Sequence, residues 1–498
     1  MASLPKIEID FKQLATTLIQ RSERGTAILL LKDAKATKIS TNVYKSVADI
    51  DDSLYSDENL KYIKSCMAYA PYETVVISSN DSSISGFVPE ILKARSTGWI
   101  AAAIADDAEP VVKVYDPGKS KNELGVKYTG TGIWSNDDGV SIKHNDVTYT
   151  QALKIQNNGS ISFETPKAGK VTFIAYVEST SSVDTTFFTV DGKSVGFTNS
   201  TEVKVTKNSV LTTVGYSSII DMELEAGEHT ILRSNKNVYL FGMVFEYNES
   251  QIQADLASWV KSMENDGKTY KVVGTVKGND CMHYVYFDQN CYDNDGNKMS
   301  ACGYLASLLG IVASCNINRG CTNFLCTDLS RVDEVEDAES AVAAGQLVLQ
   351  NDVGGVRIAA GINSLVTLNR DDATEDMQYI ETVEAMDLIR DDIKTVFKTT
   401  YQGTYKNKYK NQLLFIGSVN QYYASLAAED ILDEEFDNVA EIDVEAQRSA
   451  WIGVGNTDAE DWDDDTVKKM SFKRSVFVAN NIKILNCMEH LKFGVTLE

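Results

Sequence analysis

The sequence predicts a multi-domain core of mixed α/β (α+β) class, interrupted by an inserted all-β sandwich. Three observations predict it. Short apolar runs of strand length alternate with amphipathic stretches from Gly25 to Ile104, and again from Gln251 to about Ala313. Between Asp107 and Asn248 the helical patterns stop, and the chain becomes rich in Thr, Ser, Val, Gly and aromatics with recurring turn signals. Beyond Ala360, apolar residues recur every three or four positions through two long stretches. A chain of 498 residues makes roughly three units at about 150 residues each. It is long enough to bury a large core without disulfides or metals.

The elements follow in order. Residues 1–22 read as an arm, an extended start followed by a short polar helix. Ile7, Ile9 and Phe11 alternate with Glu8 and Asp10, the period of a strand. A strand isolated at a terminus must find a partner edge elsewhere. Residues 26–31, 74–78 and 99–104 suit buried strands, and residues 57–64 a helix. Residues 88–95 begin another helix, with Pro89 in the first turn, where a missing N–H costs nothing. In the β region Val171, Phe173, Ala175 and Val177 alternate with Thr172, Ile174, Tyr176 and Glu178. Asn157-Asn-Gly159, Lys167-Ala-Gly169, Asp191-Gly192 and Glu225-Ala-Gly227 mark turns, as in an antiparallel sandwich. Ile252, Leu256, Trp259, Val260 and Met263 then share a helical face; residues 271–274 form a strand and 300–313 a helix. The insertion therefore falls at a loop, where insertions are best tolerated.

Ile380, Val383, Met386, Ile389, Ile393, Val396, Phe397 and Tyr401 make one apolar face of a helix of roughly 20 residues. A second helix runs from about Asn411 to Leu426. The tail reads as strands over 439–445, 475–485 and 491–497, with Phe493, Val495 and Leu497 alternating with Lys492, Gly494 and Thr496.

The formal charge is 47 − 71 = −24. So acidic a chain is a poor direct partner for nucleic acid or anionic lipid, both of which are recognised through clustered Lys and Arg. No stretch approaches 18 consecutive apolar residues, so stable membrane insertion is not expected. The N-terminus has no basic and apolar leader, which points to a cytoplasmic start. Eight cysteines without a C-x-x-C pair read as buried thiols of a reducing compartment. The charge is unevenly placed. Residues 429–465 hold 15 acidic residues and one Arg, −14, more than half of the total. Residues 393–410, by contrast, hold Lys394, Lys398, Lys406, Lys408 and Lys410 and no acid. These are either solvated faces or complementary patches that meet between copies of the chain.

Recognisable catalytic sets are missing. His144, His229, His283 and His490 show no metal-site spacing, and there is no G-x-S-x-G, P-loop or G-x-G-x-x-G. Asp293-Asn-Asp-Gly-Asn297 lacks the Glu of a calcium loop and reads as a hairpin turn. Cys281 and His283 make no nucleophile pair without a third group. In the β region, Trp134 and Tyr149 are candidate glycan-facing aromatics, with Tyr128, Tyr216 and Tyr239; core packing is the competing use of such rings. No catalytic residue, metal ligand or cofactor is assigned.

Several segments together resemble the tail sheath proteins of contractile bacteriophage tails and phage-tail-like bacteriocins, of the clostridial, Gram-positive type. They are Leu4-Pro-Lys-Ile-Glu-Ile-Asp-Phe11; the run from Gln378 to Asp392, on through Tyr405-Lys-Asn-Lys-Tyr-Lys-Asn-Gln412; Glu441-Ile-Asp-Val-Glu-Ala-Gln-Arg448, similar to the family's next strand; and Asn481-Ile-Lys-Ile-Leu-Asn-Cys-Met-Glu489, similar to its closing segment. Cys487 stands where the family usually has Ala. The resemblance spans the chain outside residues 108–249.

It implies a structural subunit, not an enzyme, that polymerises helically around an inner tail tube and contracts to drive the tube through the host envelope. It implies these divisions: N-terminal arm 1–22, sheath α/β domain 23–107 with 250–358, C-terminal sheath domain 359–485 and C-terminal arm 486–498. Ile7, Ile9, Phe11, Phe493, Val495 and Leu497 would be the arm strands that join sheets on neighbouring copies. The partners implied are further copies of the chain, the inner tube protein, and baseplate and tail terminator proteins. The location implied is the virion tail, after assembly in the host cytoplasm. The Lys394–Lys410 patch is the candidate tube-proximal or inter-subunit surface. Residues 108–249 lie outside the common core; Leu224-Glu-Ala-Gly-Glu-His-Thr-Ile231 looks like the last strands of jelly-roll carbohydrate-binding modules. Host surface glycan is the partner that likeness implies. A carbohydrate-binding adhesin, or a carbohydrate-active enzyme with a β-sandwich module, is the alternative reading.

Overall fold

The apolar runs become the centre of a six-stranded sheet. Its order is Tyr284–Tyr286, Thr269–Gly274, Thr97–Ala102, Thr26–Lys32, Glu73–Ser79, Ser40–Tyr44. All neighbours are parallel except Ser40–Tyr44, which runs antiparallel along the edge. Such strands are buried on both faces, which explains why they read as unbroken apolar runs. Ala27, Leu29, Leu31, Val76 and Ala101 pack on one face beneath α1 (Asp57–Ala68) and α4 (Ala301–Ser314). Ile28, Leu30, Val75, Ile77 and Ile100 pack on the other beneath α2 (Ile84–Ala94) and α3 (Ile252–Asn265). Ser56 caps α1 by accepting from the Asn59 N–H, and Ser300 caps α4 through Gly303. The helix α2 starts at Ile84, so Pro89 lies inside it and not in its first turn. Pro89 and Ser85 face solvent, where water can satisfy the carbonyl that loses its N–H partner.

The computed structural model describes residues 18–106, 110–134, 139–166, 169–178, 186–196, 201–207, 210–233, 238–247, 251–315, 317, 319–369 and 373–496. It divides into two compact units, residues 1–105 with 252–498, and residues 106–251. The stretches expected as separate α/β and C-terminal domains thus pack as one unit.

In that first unit, Asp293–Asn297 closes a hairpin between Cys291–Asp293 and Lys298–Met299. The short helix α5 (Ala338–Ala343) precedes a three-stranded sheet strand, Leu349–Asp352. Then come α6 (Ile380–Val396), a π-turn over Phe397–Tyr401, and α7 (Tyr409–Ala427). The strand expected over 439–445 stops at Ile442, because Asp443 accepts from the Ala446 N–H and starts α8 (Val444–Gly453). A last helix, α9 (Asp464–Lys469), is capped in the same way by Asp463. Val439–Ile442 pairs antiparallel with Val478–Asn481, and this pair with α6 and α7 encloses Leu388, Phe415, Val419, Tyr422, Leu426 and Ala440. The strand expected over 475–485 is thus shorter, and residues 485–496 form none. Residues 18–25 are not helical, and the earlier part of the arm lies outside the described residues.

Apart from a 3-10 turn at Pro117–Lys119, the regular structure of the second unit's described residues is β, with a branched eleven-stranded antiparallel sheet and a separate hairpin, Ile142–His144 with Val147–Tyr149. The long strands Leu153–Thr165 and Val238–Tyr247 each pair with three neighbours, so the sheet branches at them. Phe173, Ala175 and Val177 face one core, while Ile174 and Tyr176 face a second beneath the hairpin. Asp191 and Gly192, with φ of 50° and 79°, form a tight turn of the type that suits a hairpin. Asn157-Asn-Gly159 is not a turn: it is a bulge inside one strand, with Asn158 at φ 61°.

Helices α1 and α4 approach closely because position 310 is Gly. A Cβ there would stand 2.2 Å from the Cys66 carbonyl oxygen. Alanine normally strengthens a helix interior, but here the clash is with backbone and overrides that gain. Gly310→Ala is expected to destabilise the chain by about 1–3 kcal/mol. Urea unfolding would check this, and unchanged or raised stability would show that the two helices can move apart freely.

Candidate functional site

The helix α6 carries two kinds of buried side chain. Val383, Leu388 and Ile389 serve the apolar core, while Glu384, Asp387 and Asp392 are also buried. Asp387 Oδ2 accepts from Lys271 Nζ at 2.9 Å and from His283 Nε2 at 3.0 Å; Asp387 Oδ1 accepts from Arg390 Nη2 at 2.6 Å. Lys271 Nζ also reaches Glu384 Oε1 at 3.2 Å. His283 Nδ1 donates to Glu264 Oε2 at 2.7 Å. Arg24 Nη2 donates to the Asp387 carbonyl and to Asp391 Oδ2, both at 3.0 Å, and Thr269 Oγ1 donates to Asp391 as well. Tyr422 OH and the Ser22 N–H both donate to Asp392 Oδ2. One helix is thereby tied to α3, to the strand Thr269–Gly274, to residues 22–24 and to α7.

Burial disfavours each of these charges, but the partners outweigh it. The Lys271 ammonium and His283 hold the Asp387 carboxyl well below the usual carboxylate range. Glu384 and Asp387 keep the fully enclosed Lys271 amine above its ordinary value. Asp387 and Glu264 raise the His283 imidazole above 6.5. Cys281 donates its thiol to Glu264 Oε2 at 3.0 Å, and burial pushes that thiol far up. Cys281 and His283 thus share Glu264 as a third group, but the thiol faces the carboxylate and not the imidazole, and it is fully buried. That arrangement does not make a nucleophile.

Beside this cluster lies a groove of about 770 Å³, between α6 and the segment 476–484. Val476, Val478, Ile482 and Ile484 line it from the sheet side, and Met386, Ile393 and Phe397 from the helix side. The inner strand of the C-terminal pair has its edge occupied: Asn420 bonds both the N–H and the carbonyl of Ala440. The outer edge of Val478–Asn481 has no backbone partner among the described residues.

The tail beyond the groove is exposed and apolar. Met488, Leu491, Phe493 and Val495 are 103%, 89%, 80% and 67% exposed. Upstream, Asn486 and Cys487 are anchored to Thr382 and Glu381 on α6. Ile7, Ile9, Phe11 and Leu497 lie outside the described residues.

Lys394, Lys398, Lys406, Lys408 and Lys410 are all exposed, and none has an ion pair among the described residues. They run from the end of α6 through the turn into α7. The glycan-facing assignment needs correction at both principal residues. Tyr149 is 2% exposed, with its ring against Gly242. Trp134 is half-buried and spends its faces on Tyr239, at 4.4 Å between ring centroids, and on Tyr176. The hairpin covers the second face of the sheet, and these rings fill the space beneath it. Tyr239 is buried with them; Tyr128 is exposed.

The ion cluster was not anticipated from sequence. Its signals were a Lys inside the apolar run Lys271-Val-Val-Gly274 and acids at 384, 387 and 391 spaced to share a helix side. Asp387→Ala would leave Lys271 and His283 enclosed without their common carboxylate, at an expected cost of about 3–5 kcal/mol. Urea unfolding at neutral pH measures it; a loss no larger than that of an exposed carboxylate would contradict the assignment. Because the folded Asp387 carboxyl is held low, its contribution is present at neutral pH. It is lost only as pH falls below the ordinary carboxylate value and on through the folded one.

Residues 372–498 match the family described as phage tail sheath C-terminal domain. A curated relative, the tail sheath protein of Clostridium phage phiCD119, is 28% identical over 246 residues, covering 49% of this chain and 67% of that protein. The anti-feeding prophage helical sheath in its contracted state shares the fold at 8% identity, with a TM-score of 0.51 and all of both chains covered. The chain of the anti-feeding prophage baseplate structure gives 8% identity, a TM-score of 0.50 and the same coverage. The family match over residues 372–498, the clostridial phage relative and the shared fold together make this chain similar to the tail sheath proteins of contractile systems.

Proposed function

We propose that the chain is the repeating subunit of a contractile sheath, polymerising helically around an inner tube and contracting to drive that tube through the host envelope. The observation that carries this reading is the pairing of an unpartnered strand edge with an exposed apolar tail. Among the described residues, Val478–Asn481 offers open N–H and C=O groups above an apolar groove, and the alternating side chains of Leu491, Phe493 and Val495 are exposed. A strand added at that edge would extend the sheet over α6 and bury those side chains. A tail that reaches the edge of the next copy, whose own tail reaches the one after it, makes a heterologous contact that propagates into an open helix. Phe493, Val495 and Leu497 supply one arm, and Ile7, Ile9 and Phe11 the other.

The Lys394–Lys410 patch faces the tube or the acidic segment 429–465 of a neighbouring copy. Residues 108–249 form a jelly-roll-like sandwich on the outer sheath surface, where they stabilise neighbours or meet host glycan. The baseplate and terminator cap the two ends of the helix, and assembly takes place in the host cytoplasm. No catalysis is required, because the energy of contraction would be stored in the extended packing and released as new interfaces form. A free adhesin or a carbohydrate-active enzyme is not favoured by the sheath relatives.

Deleting residues 491–498 removes the exposed tail but leaves the Asn486 and Cys487 anchors in place. The shortened chain is expected to keep its thermal midpoint yet fail to form material that pellets at low speed, while the full chain pellets as long assemblies. Removing residues 1–12 should have the same effect. Pelleting by both truncated chains would overturn the arm assignment.

A further inference from the structure

We propose that His283 is a proton-operated lock that holds α6 against the parallel sheet, closed when the imidazole carries both protons and loosened when it loses one. The geometry carries it. Nδ1 stands 2.7 Å from Glu264 Oε2 and Nε2 stands 3.0 Å from Asp387 Oδ2. Ionised carboxylates only accept hydrogen bonds, so both ring nitrogens must donate, and the ring is an imidazolium. Losing either proton turns one contact into a lone pair facing a carboxylate in an enclosed site.

Charge balance leads to the same state. The groups that face one another are Glu264 from α3, Lys271 from the sheet, His283 from the loop before Tyr284–Tyr286, Glu384, Asp387, Arg390 and Asp391 from α6, and Arg24 from the N-terminal side. With His283 protonated, Arg24, Lys271, His283 and Arg390 balance Glu264, Glu384, Asp387 and Asp391, four against four. Cys281 also faces Glu264, but as a neutral thiol. Of all these groups, imidazole is the one whose ordinary titration lies near neutral pH. A cluster that is neutral in one proton state carries an uncompensated negative charge in the other, and its centre, Lys271, His283 and Asp387, is enclosed.

The lock is reachable. Glu264, His283, Asp387 and Arg390 all line the groove beside α6, so protons can exchange without the chain unfolding. Its placement gives it leverage, because the residues it joins lie on α3, on the sheet and on the helix that carries the groove. The proton state of one imidazole therefore sets whether these parts move as one body. The inference goes beyond the sheath reading and does not depend on it.

The sign follows from linkage. Partners that raise the folded imidazole above its ordinary 6.5 make the closed state most favoured below that value, and the advantage is lost as pH rises toward the folded one. Hydrogen–deuterium exchange of the full-length chain between pH 6 and 9, corrected for intrinsic exchange, reads it directly. Above the ordinary value, opening of peptides from residues 380–396 should rise about tenfold per pH unit relative to peptides from residues 26–32. His283→Gln should be open and flat with pH. Glu264→Gln removes one of the two carboxylates that raise the imidazole, so the rise should begin at the same pH but end at a lower one. A flat corrected profile in the unmodified chain, or the same rise in His283→Gln, overturns the proposal. If His283→Gln fails to fold, Glu264→Gln decides: an unshifted profile overturns it.

Discussion

Everything in the first unit turns on one carboxylate. Asp387 is almost wholly enclosed, yet three cations from three elements converge on it. A lone charge in that position would be prohibitive, so the ionised carboxylate depends on Lys271, His283 and Arg390 beside it. This constraint makes one compact body of stretches that the sequence divides into an α/β layer and a helical C-terminal part. Replacing the cluster with apolar side chains of similar volume can be neutral for stability. What the charges add is registry: an acid at position 387 admits one placement of α6 over the strand that carries Lys271.

A rigid junction suits a sheath subunit. Contraction rearranges contacts between subunits, and energy released at those interfaces does work only if each subunit transmits it without bending. The groove lies along α6, between that helix and the segment 476–484 that carries the open strand edge, and the tail is anchored to α6 through Asn486 and Cys487. A neighbour's arm laid over them would pull on α6, and the ion cluster passes that load to the sheet core. The acidic stretch 429–465 repeats with every copy, so in a helical stack it must stay solvated or meet a basic surface such as Lys394–Lys410.

Much of this was legible in the sequence, for physical reasons. Buried parallel strands are apolar without interruption, so residues 26–31 and 74–78 were readable, and the 3.6-residue period of α6 and α7 was equally plain. Short-range signals that depend on tertiary context were less so. Asp443 and Asp463 look like two more acids in an acidic run, yet both cap helices. Asn157-Asn-Gly159 has turn composition but lies in a strand whose register requires a bulge. Trp134 and Tyr149 look equally apt for a ligand or for a second core, and only the position of the hairpin over the sheet assigns them to the core. The ion cluster was the least legible feature, because its members are spread from Arg24 to Asp391 and no local pattern links them. The tail was legible in alternation but not in outcome: its strand pattern has no partner among the described residues.

That missing partner is the point on which the account stands. A helical reconstruction of tubes assembled from the full-length chain, at a resolution that traces backbone, tests it most directly. The account predicts residues 489–497 of one copy paired along the outer edge of Val478–Asn481 of another, with Phe493 and Val495 turned into the groove beside α6. Tubes in which each tail folds back on its own chain, or in which that edge stays open, would contradict it.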